Sequence, residues 1–157
     1  MTFFLLYCST ALLLSYDAAD YEGVPFMHMK ANNKDLGPEI VPVKFILEDP
    51  EPLGQTENEV ELKAAIGESI LELALDHDIA IEHACGGVTA CSTCHIYIEE
   101  GEELFDEATD EELDRVDEAP GVQLNSRLSC QCRVRGEGQV VVKVPAWNRN
   151  AVKEVPH

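Results

Sequence analysis

His83-Ala84-Cys85-Gly86-Gly87-Val88-Thr89-Ala90-Cys91-Ser92-Thr93-Cys94-His95 places three thiols within ten residues, spaced C-x5-C-x2-C, and a fourth, Cys130, follows Cys94 after an interval of 35 residues. Ala84, Gly86, Gly87, Ala90, Ser92 and Thr93 are small or flexible. A chain of this kind wraps tightly and aims backbone N–H groups at sulfur. Thiolates gathered around a charged inorganic core need such donors to spread their charge, and bulky side chains would hold the backbone away. Four thiols also satisfy a structural zinc ion, with His83 or His95 able to replace one of them. Zinc ribbons and fingers pair two C-x2-C turns, whereas only one exists here and the far end offers Cys130-Gln131-Cys132. An iron–sulfur centre accounts for the small-residue loop as well as for the thiols.

Around this loop lies a chain of 157 residues and 17.3 kDa carrying 11 Lys+Arg against 30 Asp+Glu, a formal charge of −19 and a pI near 4.4. The sign of that field argues against nucleic acid, whose binding rests on cationic side chains displacing counterions, and for partners with basic surfaces. With 45% apolar residues the chain can bury a core. Six cysteines are too few for a disulfide scaffold, which fits a reducing compartment.

The first 29 residues contain neither Lys nor Arg, although Phe3 to Leu14 is an apolar run. A secretory signal begins with cations, and a transit peptide is rich in Arg with few acids, which Asp17, Asp20 and Glu22 contradict. Twelve apolar residues reach about 18 Å as a helix, short of the roughly 30 Å hydrocarbon core. Tyr7 directly before Cys8 is wrong for a lipoprotein cleavage box. Residues 1–39 therefore read as a disordered or non-native extension, with Met27 and Met29 as candidate starts.

Compact texture begins near residue 40. Val41, Val43, Phe45 and Leu47 alternate with Pro42, Lys44 and Ile46, a strand in which Pro42 marks an edge or a beginning. A turn rich in Pro and Gly leads to the alternation Val60, Leu62, Ala64, Ile66, completing a hairpin. Ile70, Leu71, Ala74 and Leu75 share one face of a helix expected from about Glu68 to Asp78. His95 to Glu99 reads as a third strand, Thr109-Asp110-Glu111-Glu112 as a capping box opening a short helix to about Glu118, and Val140 to Val144 as a further strand. The sum is a small α+β domain over residues 40–146, one mixed sheet carrying a helix, followed by a tail at 147–157.

Gly67-Glu68-Ser69-Ile70-Leu71, the cysteine loop with Ile81-Glu82-His83 before it, Ser126-Arg127-Leu128-Ser129-Cys130-Gln131, and Val140 to Pro145 together resemble the adrenodoxin-type [2Fe–2S] ferredoxins, in particular the bacterial branch serving iron–sulfur-cluster assembly. The likeness is strong over about half the chain and does not reach residues 1–40. It implies a β-grasp fold with a cluster-binding loop, and one [2Fe–2S] cluster held by Cys85, Cys91, Cys94 and Cys130. Cys132 is then a spare thiol, read as a small buried hydrophobe. His95 and His83 read as structural, His95 tying the loop to the C-terminal half, and Arg127 as the partner of a carboxylate.

Twelve of the 20 residues from Glu99 to Glu118 are acidic. In the family that this chain resembles, the helix beginning Thr-Asp-Glu-Glu docks basic reductases and acceptors, which assigns docking to Asp110, Glu111, Glu112, Asp114 and Asp117. The resemblance thus implies a one-electron carrier rather than an enzyme, acting with a basic-surfaced ferredoxin reductase, a cysteine desulfurase and scaffold machinery. It implies a monomer in the bacterial cytoplasm, or alternatively the mitochondrial matrix, with no nucleic-acid or membrane partner. A carrier for haem-thiolate monooxygenases is the nearest alternative, and a zinc-stabilised binding module is the alternative of a different class. The 35-residue interval and the tail Pro145 to Ala151 favour the assembly branch.

Overall fold

The computed structural model describes residues 37–146. The expectations for residues 1–36, Cys8, Met27, Met29 and the 147–157 tail lie outside those residues, whereas Glu39, expected in the N-terminal extension, already belongs to the first strand of the domain. Five strands, β1 (Glu39–Leu47), β2 (Glu59–Ala65), β3 (His95–Glu100), β4 (Ser126–Leu128) and β5 (Val140–Val144), form one sheet in the order β2-β1-β5-β3-β4. Two short helices, α1 (Ile70–Asp76) and α2 (Asp110–Val116), and two 3-10 turns at Glu51–Leu53 and Glu102–Leu104 complete it. β1 runs antiparallel to β2 and parallel to β5, while β3 is antiparallel to both β5 and β4. This is the mixed sheet and strand, strand, helix order of a β-grasp.

The expected alternation in β1 is the observed one: Val41, Val43, Phe45 and Leu47 are buried, and Pro42 is exposed. β1 is nevertheless an interior strand. Pro42 is tolerated because pairing with β5 begins only at Val43, so its missing N–H removes no bond on that side. Phe45, Leu47, Ile70, Leu73, Ile79 and Ile96 are fully buried, each stabilising the fold by about 1.5–3 kcal/mol through loss of apolar surface to water.

α1 is shorter than the expected Glu68 to Asp78. Ser69 is its N-cap: the Ser69 hydroxyl accepts from the Glu72 amide at 3.2 Å, and the Glu72 carboxylate accepts from the Ser69 amide at 2.9 Å. This reciprocal capping box holds Glu68 outside the helix. The Glu68 carboxylate instead accepts from the Ala65 amide at 2.9 Å, and burial pushes its pKa up. Leu73 is buried along with Ile70, Leu71 and Ala74, because a helix wedged between the sheet and the segment after Cys130 covers more than one stripe. β4 was not expected. Its three residues are all buried, so it offers neither the length nor the alternation by which a strand is recognised.

Candidate metal centre

The loop between α1 and β3 carries three of the four thiols, and its backbone is bent to suit them. Gly86, Gly87 and Thr89 all have positive φ, at 69°, 86° and 59°. At Gly86 a Cβ would meet nothing within 4 Å, so the left-handed conformation rather than space calls for glycine there. The bends turn amides inward: Gly87, Val88 and Ala90 direct N–H groups at the Cys85 sulfur, and Thr89 directs one at Cys130. Thr93 locks the loop to itself, its hydroxyl accepting from the Ala84 amide at 2.9 Å and lying 3.2 Å from the Cys91 sulfur.

The fourth thiol arrives on the turn after β4. Ser129 donates its amide to the Cys94 carbonyl at 2.9 Å, and the first amides of α1 grip the same segment, Leu71 N–H on the Ser129 carbonyl at 3.1 Å and Ile70 N–H on that of Cys132 at 2.9 Å. Arg133 adds side-chain bonds to the Gly67 carbonyl at 3.0 Å and to Glu72 at 3.1 Å. The Gln131 side-chain amide donates to the Cys130 sulfur at 3.4 Å.

The thiols come together as two pairs. Cys94 and Cys130 sit 3.5 Å apart in the interior, and the Cys85 and Cys91 side chains lie within hydrogen-bonding reach of each other nearer the surface. The hydrogen bond from Cys94 to Cys130, together with burial, pushes the Cys94 thiol up, and the same bond draws Cys130 down to about 7. Burial works against ionisation of Cys85, but the loop amides and Cys91 outweigh it and its pKa is lowered. Thiolates this close repel each other unless a cation lies between them, which is the donor chemistry of a metal centre. Among the described residues no three His, Cys, Asp or Glu side chains converge on one ion. Two pairs with amides aimed at their sulfurs fit a two-iron cluster better than one tetrahedral zinc ion.

The neighbouring residues are structural. His95 is buried, which lowers its pKa to about 4, and its Nε2 lies 2.7 Å from the Ser126 hydroxyl, joining β3 to β4. The His83 Nδ1 donates to the Ile81 carbonyl at 2.8 Å. Cys132 is wholly buried and its thiol is pushed up by desolvation, so it is inert and neutral.

α2 corrects one expectation. Asp110, Glu111, Asp114 and Asp117 are exposed, but Glu112, expected among the docking carboxylates, is 2% exposed. Its Oε1 accepts from Arg127 Nε at 2.8 Å and from the Leu128 amide at 3.0 Å, and its Oε2 accepts from Arg127 Nη2 at 3.0 Å. The anticipated capping box is therefore only half made. Thr109 caps the Glu112 amide at 3.2 Å, while the Glu112 carboxylate faces inward to Arg127. A buried arginine close in space but 15 residues away left no local signal for this choice.

A family model described as "2Fe-2S iron-sulfur cluster binding domain" matches residues 54–135. Over 94 residues, 60% of this chain and 82% of the relative, the sequence is 44% identical to a 2Fe-2S ferredoxin of Haemophilus influenzae. It is 37% identical over 123 residues to adrenodoxin-like protein 1, mitochondrial, of Arabidopsis thaliana, covering 76% of this chain and 59% of that one. The fold is similar to the ISC-like [2Fe–2S] ferredoxin FdxB of Pseudomonas putida, with TM-score 0.63, 36% identity and coverage of 71% and 97%. It is also similar to a chain in the covalent putidaredoxin reductase–putidaredoxin complex, with TM-score 0.56, 30% identity and coverage of 66% and 97%.

Proposed function

The chain belongs to the family of 2Fe-2S iron-sulfur cluster binding domains, as an adrenodoxin-type ferredoxin that carries electrons on one [2Fe–2S] cluster, and we propose that those electrons serve iron–sulfur-cluster assembly. When bound, the cluster supplies reversible one-electron chemistry. The residues that would hold it are Cys85 with Cys91 on the outer side and Cys94 with Cys130 on the inner. The amides of Gly87, Val88, Thr89 and Ala90 offset sulfur charge, and the core behind Cys94 and Cys130 excludes water from one side. The observation that carries this reading is the pairing of the four thiols under inward-pointing amides.

The assembly role is supported by the likeness to the ISC-like FdxB, and a reductase partner by the likeness to putidaredoxin. Asp110, Glu111, Asp114 and Asp117, exposed on and just after α2, offer a basic reductase and a basic acceptor a common landing surface, steering association at low salt. The matching bacterial ferredoxins support action in the cytoplasm. Among the described residues no helix is long and apolar enough to cross a membrane.

The test is reconstitution. Protein purified without air contains acid-labile sulfide and becomes paramagnetic with dithionite, and with a ferredoxin reductase, a cysteine desulfurase and its scaffold it accelerates cluster formation on the scaffold. A reducible protein that leaves that rate unchanged rejects the assembly role, and a colourless zinc protein rejects electron transfer altogether. Reversing Asp110, Glu111 and Asp114 to Lys slows reduction at low salt without bleaching the centre. Unchanged kinetics would remove those residues from docking.

A further inference from the structure

Between the turn Glu102–Leu104, α2 and β4 lies an open groove of about 660 Å³. It is lined by Phe105, which is almost fully buried, and by Leu113 and Leu124, which are 46% and 106% exposed. Single exposed leucines are ordinary, but here two of them border the same groove as Phe105. The rim is anionic: Glu102, Glu103 and Glu107 border the same groove. The arginines nearby are engaged, Arg127 with Glu112, Arg135 with Asp106 and Arg115 with Glu118, and none of the three rim carboxylates forms an ion pair among the described residues.

We propose that this groove receives arginine side chains of a partner protein, their aliphatic stems packing between Leu113 and Leu124 and their guanidinium groups meeting Glu102, Glu103 and Glu107. The inference rests on the reading of this acidic face as the partner surface and names what the partner presents to it. Long cationic side chains combine an apolar stem with a charged head, which matches apolar walls under an acidic rim. Charge excludes the obvious alternative occupant, because a second copy of a chain with net charge −19 brings carboxylates to carboxylates. The apolar contact then governs how long a docked partner stays, while the exposed acids of α2 govern how fast it arrives.

The probes are tetraarginine and its analogue built from 2-amino-3-guanidinopropionate, which keeps every guanidinium but shortens each stem to one methylene. Titrated into the cluster-loaded protein at 0.15 M salt, tetraarginine binds about tenfold more tightly than the analogue. The double substitution Leu113→Ser and Leu124→Ser erases that preference, leaving the analogue's affinity and the visible spectrum unchanged. Glu102→Gln, Glu103→Gln and Glu107→Gln together weaken both peptides. Equal affinities in the parent protein, a preference that survives loss of both leucines, or indifference to the three Gln substitutions would overturn the proposal. The reading of the acidic face as the partner surface fails separately, if reversing Asp110, Glu111 and Asp114 to Lys leaves reduction by a reductase unchanged at low salt, and the peptide titrations stay interpretable in that case.

Discussion

Replacing Arg127 by Met tests whether the bond between α2 and β4 holds the fourth thiol in place. The side chains of Arg127 and Glu112 are 6% and 2% exposed, and the carboxylate receives three N–H groups, two from Arg127 and one from the Leu128 backbone. Arg127 Nη2 also reaches the Asp106 carbonyl at 3.0 Å, so the guanidinium ties α2, β4 and the preceding loop together. An exposed pair of this kind would contribute about 0.2–1 kcal/mol. Breaking a buried one strands a charge, and the expected loss is about 3–5 kcal/mol. For a domain of roughly 100 residues that lowers Tm by about 12–20 °C, at about 4 °C per kcal/mol.

The companion double substitution, Glu112→Leu with Arg127→Met, removes both charges and leaves the buried Leu128 amide and the part-buried Asp106 carbonyl without these partners, at a cost of about 1–3 kcal/mol for the buried amide. The two changes together are therefore less damaging than Arg127→Met alone, a coupling of opposite sign to simple addition. Thermal unfolding without air, at one scan rate because cluster loss is irreversible, measures both variants by far-ultraviolet circular dichroism and visible absorbance. Since Leu128 lies two residues before Cys130, visible bleaching precedes the loss of secondary structure in Arg127→Met. A single-variant loss below about 1 kcal/mol, or a double variant no better than Arg127→Met, would refute the argument that burial makes this pair structural.

Ser in place of Cys85, Cys91, Cys94 or Cys130 abolishes or shifts the visible spectrum, whereas Cys132→Ala keeps it and costs about 1 kcal/mol for the small void; the reverse pattern reassigns the fourth ligand. Ser69→Ala removes the α1 cap and lowers stability by about 1 kcal/mol, read as a shifted urea midpoint with unchanged slope. Glu68 has a raised pKa in the folded chain, so its contribution is complete below the ordinary carboxylate value and is lost as pH rises through the folded value. Glu68→Gln, which can still accept from the Ala65 amide, therefore gains in urea midpoint on the parent protein as pH rises from below the ordinary carboxylate value to neutrality, and a difference that stays constant or shrinks over that whole rise would contradict the sign.

The parts of this molecule written in neighbouring residues could be read without coordinates. β1, β2, β3 and β5 each present alternation or an apolar run, and the small residues among Cys85, Cys91 and Cys94 announce a backbone that must approach sulfur. The parts decided by distant residues could not. β4 owes its existence to pairing with β3 and has only three residues. Ser69 and Glu72 carry a capping box that apolar periodicity alone overran by two residues.

Glu112 is the most instructive case, because Thr109-Asp110-Glu111-Glu112 is compatible with two destinations for that carboxylate. Locally it could bond the Thr109 amide and remain in water with Asp110 and Glu111. Arg127 offers two charge-assisted bonds and Leu128 a third, and three donors in the interior outweigh one at the surface. The acidic stretch is thereby divided into outward-facing carboxylates and one that faces inward. Its outward carboxylates remain available for a basic partner, while one turned inward fixes the helix that displays them to the strand that delivers Cys130. On the proposed function, partner docking and the holding of the cluster by Cys130 would share this one connection, and a substitution at Glu112 that leaves both reductase docking and cluster retention unaltered would refute that link.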